Sequence, residues 1–162
     1  MQGDRLKGKK ILIVDDEPDV LQTLKDLLFM CEIVTASSFE EGRNELESQP
    51  FDIAILDIMG VEGYKLLEVA NKKQVIAVML TARAVTIPHT IRSFNKGAAS
   101  FVPKEQMSEI AIHLDDLLEA KEQGHHPWAH WLKRFDSYYE KRFGPNWKEQ
   151  DEEFWKKFKY YI

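Results

Sequence analysis

The sequence predicts an α/β protein: a doubly wound domain with a five-stranded parallel sheet covered by helices, then a C-terminal α-helical hairpin. Three observations carry this prediction. Short, β-branched-rich runs of nearly continuous apolar character alternate with amphipathic stretches from residue 10 to residue 123, as strands buried on both faces should. That alternation breaks at Gly124-His125-His126-Pro127, which divides the chain into residues 1–124 and an extension, 125–162. The extension holds 12 of the 18 aromatic residues, all four tryptophans among them, at helical spacing.

The elements follow in order. Lys10 to Asp15 is the first strand, and Val20, Leu21, Leu24, Leu27 and Leu28 then recur as the apolar stripe of a helix. Glu32 to Ala36 is the second strand, with Ser38 as N-cap of the next helix. Ile53 to Asp57, a helix over Tyr64 to Ala70, and Val75 to Thr81 come next. A fourth helix begins near Pro88 and ends at Gly97, and Ser100 to Pro103 is the last strand. The fifth helix runs from about Gln106 to Gln123, with Ile110, Ala111, Leu114, Leu117 and Leu118 on one face.

In the extension, Trp128, Trp131, Leu132, Phe135, Tyr138, Tyr139 and Phe143 share a face until Gly144-Pro145 stops the helix. Asn146 and Glu149 read as a capping box for a second helix, whose stripe is Trp147, Phe154, Trp155, Phe158 and Ile162. Its acids come early and its lysines late, which suits the macrodipole. The stripes are expected to form the hairpin core, packed on itself or on the first domain, with a docking or dimerisation face as the alternative.

Composition excludes several classes. At 162 residues, with 44% hydrophobic and 30% charged residues, the chain is globular. No stretch approaches the roughly 18 to 20 apolar residues of a membrane span, and no signal-type segment follows Met1 to Lys10, so a cytoplasmic protein is expected. The single Cys31 cannot form an intramolecular disulfide and is expected to be a buried thiol. Residues 125–162 carry eight basic and six acidic side chains, a balance of +2, which leaves −7 for the rest of a chain whose total is −5. Neither balance is a nucleic-acid footprint, and DNA binding is not expected. His125, His126 and His130 lack a third ligand or a cysteine beside them, so they are not assigned a metal.

The chemistry lies at the strand ends. Asp15 and Asp16, with Glu17 behind them, close the first strand, and Asp57 closes the third. Parallel sheets bind ligands beyond the carboxyl ends of their strands, so these carboxylates converge if the two strands are neighbours. A single strand-end aspartate is most often a helix cap or a solvated charge, but converging acids repel unless a cation lies between them. Magnesium, a hard ion that takes one or two carboxylates together with waters and phosphate oxygens, resolves that repulsion. Thr81 and Lys104 end the fourth and follow the fifth strand, bringing a hydroxyl and a compact ammonium to the same edge. A carboxylate such as Asp57 could then accept a phosphoryl group, with the cations stabilising the transferred charge.

Taken together, VDDEPD, LD, LTA and the Phe101 to Lys104 spacing make residues 9–123 resemble a response-regulator receiver domain of two-component signalling. The resemblance implies a flavodoxin-like sheet of order 2-1-3-4-5, and a phosphoacceptor protein with no enzymatic activity beyond its own phosphotransfer and autodephosphorylation. It implies that Asp57 takes phosphate from a sensor histidine kinase or phosphotransfer protein. Asp15, Asp16, Asp57 and the Met59 carbonyl would hold Mg2+, while Thr81 and Lys104 would bind the phosphoryl group. Thr81 and Phe101 would shift together as the switch, signalling to a downstream protein or through self-association. Ala82 would leave access to the aspartate open, and Met59 and Arg83 would tune phosphate lifetime. The extension would sense the receiver's state or anchor a partner.

Two departures stand out. In DIMGVEG, Val61 replaces the proline usual four residues after the aspartate and Gly63 arrives early, which predicts a displaced or shortened third helix. Glu105 follows Lys104 where the family usually has proline. Two alternatives follow: a receiver-like interaction module without phosphorylation, or a Mg2+-dependent phosphohydrolase. The phosphohydrolase wants D-x-D on its first strand, and here the aspartates are adjacent.

Overall fold

The computed structural model describes residues 4–160. Five parallel strands, β1 (Lys10–Val14), β2 (Glu32–Ala36), β3 (Ile53–Asp57), β4 (Ile76–Thr81) and β5 (Ser100–Pro103), form one sheet in the order β2-β1-β3-β4-β5. The pairs Val14 with Leu56, Asp57 with Leu80 and Thr81 with Pro103 align the carboxyl ends of four strands. Every residue of β3 and β5 is buried, which explains their apolar character.

Five helices connect and flank the strands: α1 (Pro18–Leu27), α2 (Phe39–Ser48), α3 (Gly63–Lys72), α4 (Ile87–Asn95) and α5 (Ile110–Gln123). α1 packs beside α5, and α2 beside α3. Ser38 caps α2 as its position predicts, its hydroxyl accepting from Glu41 N at 3.2 Å. Thr86 caps α4 in the same way. α5 ends at Gly124, whose φ of 68° suits glycine.

Several expectations need correction. α3 is not shortened: at ten residues it equals α1 and α2. The early glycine lets it start directly after the site, since a Cβ on Gly63 would lie 2.1 Å from the Asp57 carbonyl oxygen. Val61 is fully buried where the family's proline would stand. The fifth helix is preceded by a 3-10 helix, Lys104–Glu109, so α5 itself begins at Ile110. Cys31 is half-buried and not fully so, with its Sγ 3.3 Å from the Leu6 carbonyl oxygen. Asn146 makes no capping bond. Trp147 is drawn into the core against Tyr139 and Trp155, so a 3-10 helix, Trp147–Asp151, comes first, and Asp151 caps the following helix by accepting from Phe154 N at 3.0 Å. Ile162 lies outside the described residues.

The extension forms α6 (Trp128–Phe143) and α7 (Glu152–Tyr160), and its aromatic stripe packs both on itself and on α4, β5 and α5. Phe94 of α4 meets Trp128, Trp131 and Phe158 edge-on at centroid distances of 5.2, 4.9 and 5.4 Å. Tyr139 shares a buried hydrogen bond with Thr90, and Arg134 grips Asp116 with two bonds of 2.9 and 3.1 Å. Trp131 Nε1 donates to the Phe101 carbonyl at 2.8 Å, tying α6 to the edge strand β5. Trp131, Phe135, Tyr139, Phe154, Trp155 and Phe158 are all buried. At about 2 kcal/mol for each, this burial is on the order of the whole stability of a domain, so the stripe is core and not a loose appendage.

Trp131→Ala should therefore lower the unfolding free energy of the full chain by about 3–5 kcal/mol in urea titrations. Trp131→Phe, which keeps most of the packing but leaves the Phe101 carbonyl without its donor, should cost about 1–3 kcal/mol.

Candidate functional site

The site is assembled from loops that leave aligned strand ends. Asp15 follows β1, and its backbone N–H still donates to Ala36 O, so the carboxylate leaves a rigid support. Its Oδ1 accepts from Glu17 N at 2.9 Å, which turns the chain into α1. Its buried Oδ2 faces Lys104 Nζ at 2.9 Å yet has no aligned hydrogen-bond donor. Asp57 closes β3, also buried, with Oδ2 3.4 Å from the same ammonium. Glu17 Oε1 lies 3.5 Å away. Lys104, only 10% exposed, thus stands among three carboxylates without waiting for a phosphoryl group.

Asp16 is exposed beside them. The turn after β3 presses against it: Gly60 has φ 91°, and a Cβ there would lie 2.6 Å from Asp16 Oδ2. Met59, in that turn, is exposed, as are Ala82 and Arg83 after β4. Thr81 is buried, its Oγ1 accepting from Ala84 N at 3.1 Å. Phe101 is fully buried in β5, paired with Met79 of β4. His126 Nδ1 accepts from Trp128 N and His130 lies near Asp116, both far along the chain from the acids.

Electrostatics follow from this crowding. Burial, then the neighbouring Asp15 charge, pushes the Asp57 carboxyl up to about 6 despite Lys104. Burial also raises Asp15, outweighing the Glu17 N–H and Lys104. Burial acts to lower Lys104, but Asp15 and Asp57 overcome it and the ammonium is held above its ordinary value.

The donors suit a hard divalent cation. Asp15, Asp16 and Glu17 each offer a carboxylate oxygen within 4.8 Å of the others, and buried Asp15 Oδ2 has only the Lys104 ammonium against it, with no aligned donor. Glu17 is the member to which the sequence assigned no role, although it is the third acid of the run. Its reach to Lys104 depends on how α1 leaves β1.

A five-stranded parallel sheet of this order, carrying acids at β1 and β3 and a lysine after β5, defines a receiver-type signalling domain, and the comparisons with known proteins agree. Residues 11–115 match the response regulator receiver domain. The chain belongs to this family. It is 30% identical over 126 residues to response regulator GtcR of Aneurinibacillus migulanus, covering 71% of this chain and 51% of that protein. It is 35% identical over 113 residues to heme response regulator HssR of Staphylococcus aureus, covering 66% and 50%. The chain thus spans about half the length of these relatives. Among solved structures, a CheY-like receiver domain protein from Methanospirillum hungatei superimposes with a TM-score of 0.66 at 26% identity, over 73% of this chain and 99% of that one.

The raised Asp57 carboxyl makes a stability prediction. A group with a folded value near 6 and an ordinary value near 3.8 is neutral in both states below pH 4, and above pH 6 its ionisation costs the folded state. Asp57→Asn should therefore stabilise the metal-free protein by about 1–3 kcal/mol at pH 7, with the gain fading between pH 6 and 4 in urea titrations.

Proposed function

We propose that this chain is a response regulator that accepts a phosphoryl group on Asp57 from a sensor histidine kinase or phosphotransfer protein, and that it signals by protein contacts. In this reading residues 1–124 are the receiver and 125–162 its helical extension. The observation that carries it is the Lys104 ammonium held between Asp15 and Asp57, at the carboxyl edge of a sheet whose family is shown. No hydrolytic machinery is invoked beyond the protein's own transfer and loss of the phosphoryl group.

An ionised Asp57 oxygen attacks phosphorus in line as the bond from phosphorus to the donor's imidazole nitrogen breaks, and the imidazole leaves with its electron pair. Asp15, Asp16, Asp57 and the Met59 carbonyl would hold Mg2+, with Glu17 close by. When bound, this ion neutralises charge on the phosphoryl oxygens. Lys104, already aimed at Asp57, meets one of the same oxygens. Thr81 accepts from Ala84 N, so its own hydroxyl proton is left to donate to another. That new bond would draw Thr81 inward and, with buried Phe101, form the switch.

Ala82, small and exposed, would leave a phosphodonor's approach to the buried aspartate open, and Met59 and Arg83 at the rim would tune phosphate lifetime. Because α6 covers β5 and packs on α5, we place the output on the extension and a downstream protein target, not on pairing of two chains through α4 and α5. No helix among the described residues is long and apolar enough to cross a membrane, and a cytoplasmic location belongs to this proposal.

Intact-mass spectrometry after incubation with acetyl phosphate tests the reading. A gain of one phosphate in the wild type, lost without magnesium and lost in Asp57→Asn, is expected. Lys104→Met should slow the reaction about 100-fold, the scale for one preorganised charge at a transferring group. No adduct and no beryllofluoride binding would favour a receiver-shaped interaction module.

A further inference from the structure

α6 grips the segment that carries Lys104 at three successive points. Trp128 Nε1 donates to Ala98 O at 3.2 Å and Trp131 Nε1 donates to Phe101 O at 2.8 Å. Beyond the strand, the Tyr138 hydroxyl donates to Glu105 Oε1, and Arg142 Nη1 donates to that same oxygen at 3.2 Å. Arg142 also donates to the Tyr138 oxygen at 3.2 Å, so two side chains one helical turn apart act on one carboxylate. Positions 128, 131, 138 and 142 lie along one face of α6. Lys104 falls between the second and third grips.

Lys104 and Glu105 are consecutive at the start of a 3-10 helix and reach in different directions. One meets Asp15 and Asp57, the other meets α6. Holding the Glu105 side chain restrains rotation of the corner from which the Lys104 side chain leaves. This is the position where a receiver usually has a proline. Here a carboxylate held by the chain's own extension stands in its place.

We infer that Glu105, clamped by Tyr138 and Arg142, is a positioning residue for Lys104, and that the C-terminal extension thereby sets the aim of the ammonium at the acceptor aspartate. The inference rests on the reading of Asp57 as phosphoacceptor and Lys104 as its cation. Glu105 and Arg142 are 57% and 42% exposed, so their pair contributes little to global stability. Their contribution is geometric, and displacement of a catalytic group by about 1 Å is enough to slow a reaction greatly.

The test uses the full chain with Glu105→Ala, Glu105→Gln and the double variant Tyr138→Phe/Arg142→Met. Lys104 is probed directly in metal-free protein by its acylation rate with a small amine-reactive ester, mapped by peptide mass spectrometry. In the wild type its ion pairs and burial protect it. Glu105→Ala and the double variant should raise its rate about threefold or more, an effect of lost positioning, while other lysines and the urea midpoint stay put. Glu105→Gln, which keeps an acceptor for both donors, should restore most of the protection. With acetyl phosphate and magnesium, the clamp variants should lose about tenfold in maximal phosphorylation rate at an unchanged half-saturating donor concentration. Unchanged Lys104 reactivity in Glu105→Ala would overturn the inference, as would equal losses in Glu105→Gln and Glu105→Ala. A wild type that takes no phosphoryl group while Lys104 is released in the variants would sink the proposed function and leave the clamp standing.

Discussion

Buried carboxylates at neighbouring strand ends need a positive charge between them, and in this protein Lys104 supplies one. Asp15 and Asp57 are both nearly inaccessible to water, where an unpaired charge is costly. The lysine offsets only part of that cost, since the Asp57 carboxyl still sits near 6. The site is therefore strained towards taking more positive charge or giving up negative charge. Under the proposed function, a divalent cation would relieve the first demand. Phosphorylation of Asp57, in the same reading, would change the second, replacing a buried carboxylate with an acyl phosphate whose larger anion reaches towards Lys104 and Thr81.

The rest of the architecture serves this arrangement. Aligned strand ends bring the acids together, and two glycines let the backbone close around them: Gly60 against Asp16 and Gly63 against the Asp57 carbonyl. A side chain at either place would collide with the site itself. Lys104 must then be delivered from β5, the edge strand farthest from β1 among those involved, across β4 and β3. A long side chain arriving from an edge strand is the least constrained member of the group. That is where α6 is laid.

The extension thus has two physical roles that differ in scale. Its buried aromatics, Trp131 and Tyr139 above all, complete the core over α4, β5 and α5 and account for much stability. Its exposed polar contacts with Glu105 account for little stability but touch the residue adjoining Lys104. Large apolar burial holds α6 against the first domain.

By itself, the sequence determined the strand and helix alternation, most boundaries to within a residue, the acids, Thr81 and Lys104, and the helical nature of the extension. These depend on local periodicity, caps such as Ser38, and residue chemistry at strand ends, all of which are written in short windows. Only the tertiary structure decided the rest. The place of the aromatic stripe on α4, β5 and α5, the pairing of buried Asp116 with Arg134 and the grip on Glu105 join residues far apart in sequence. Asn146 looked like a cap, yet burial of Trp147 outweighed one capping bond. Glu17 had no assigned role in the sequence, and the turn into α1 brought it to Lys104. Local patterns record what a segment can form, while contacts between segments record which option the packed chain stabilises most, and that comparison exists only once the chain is folded.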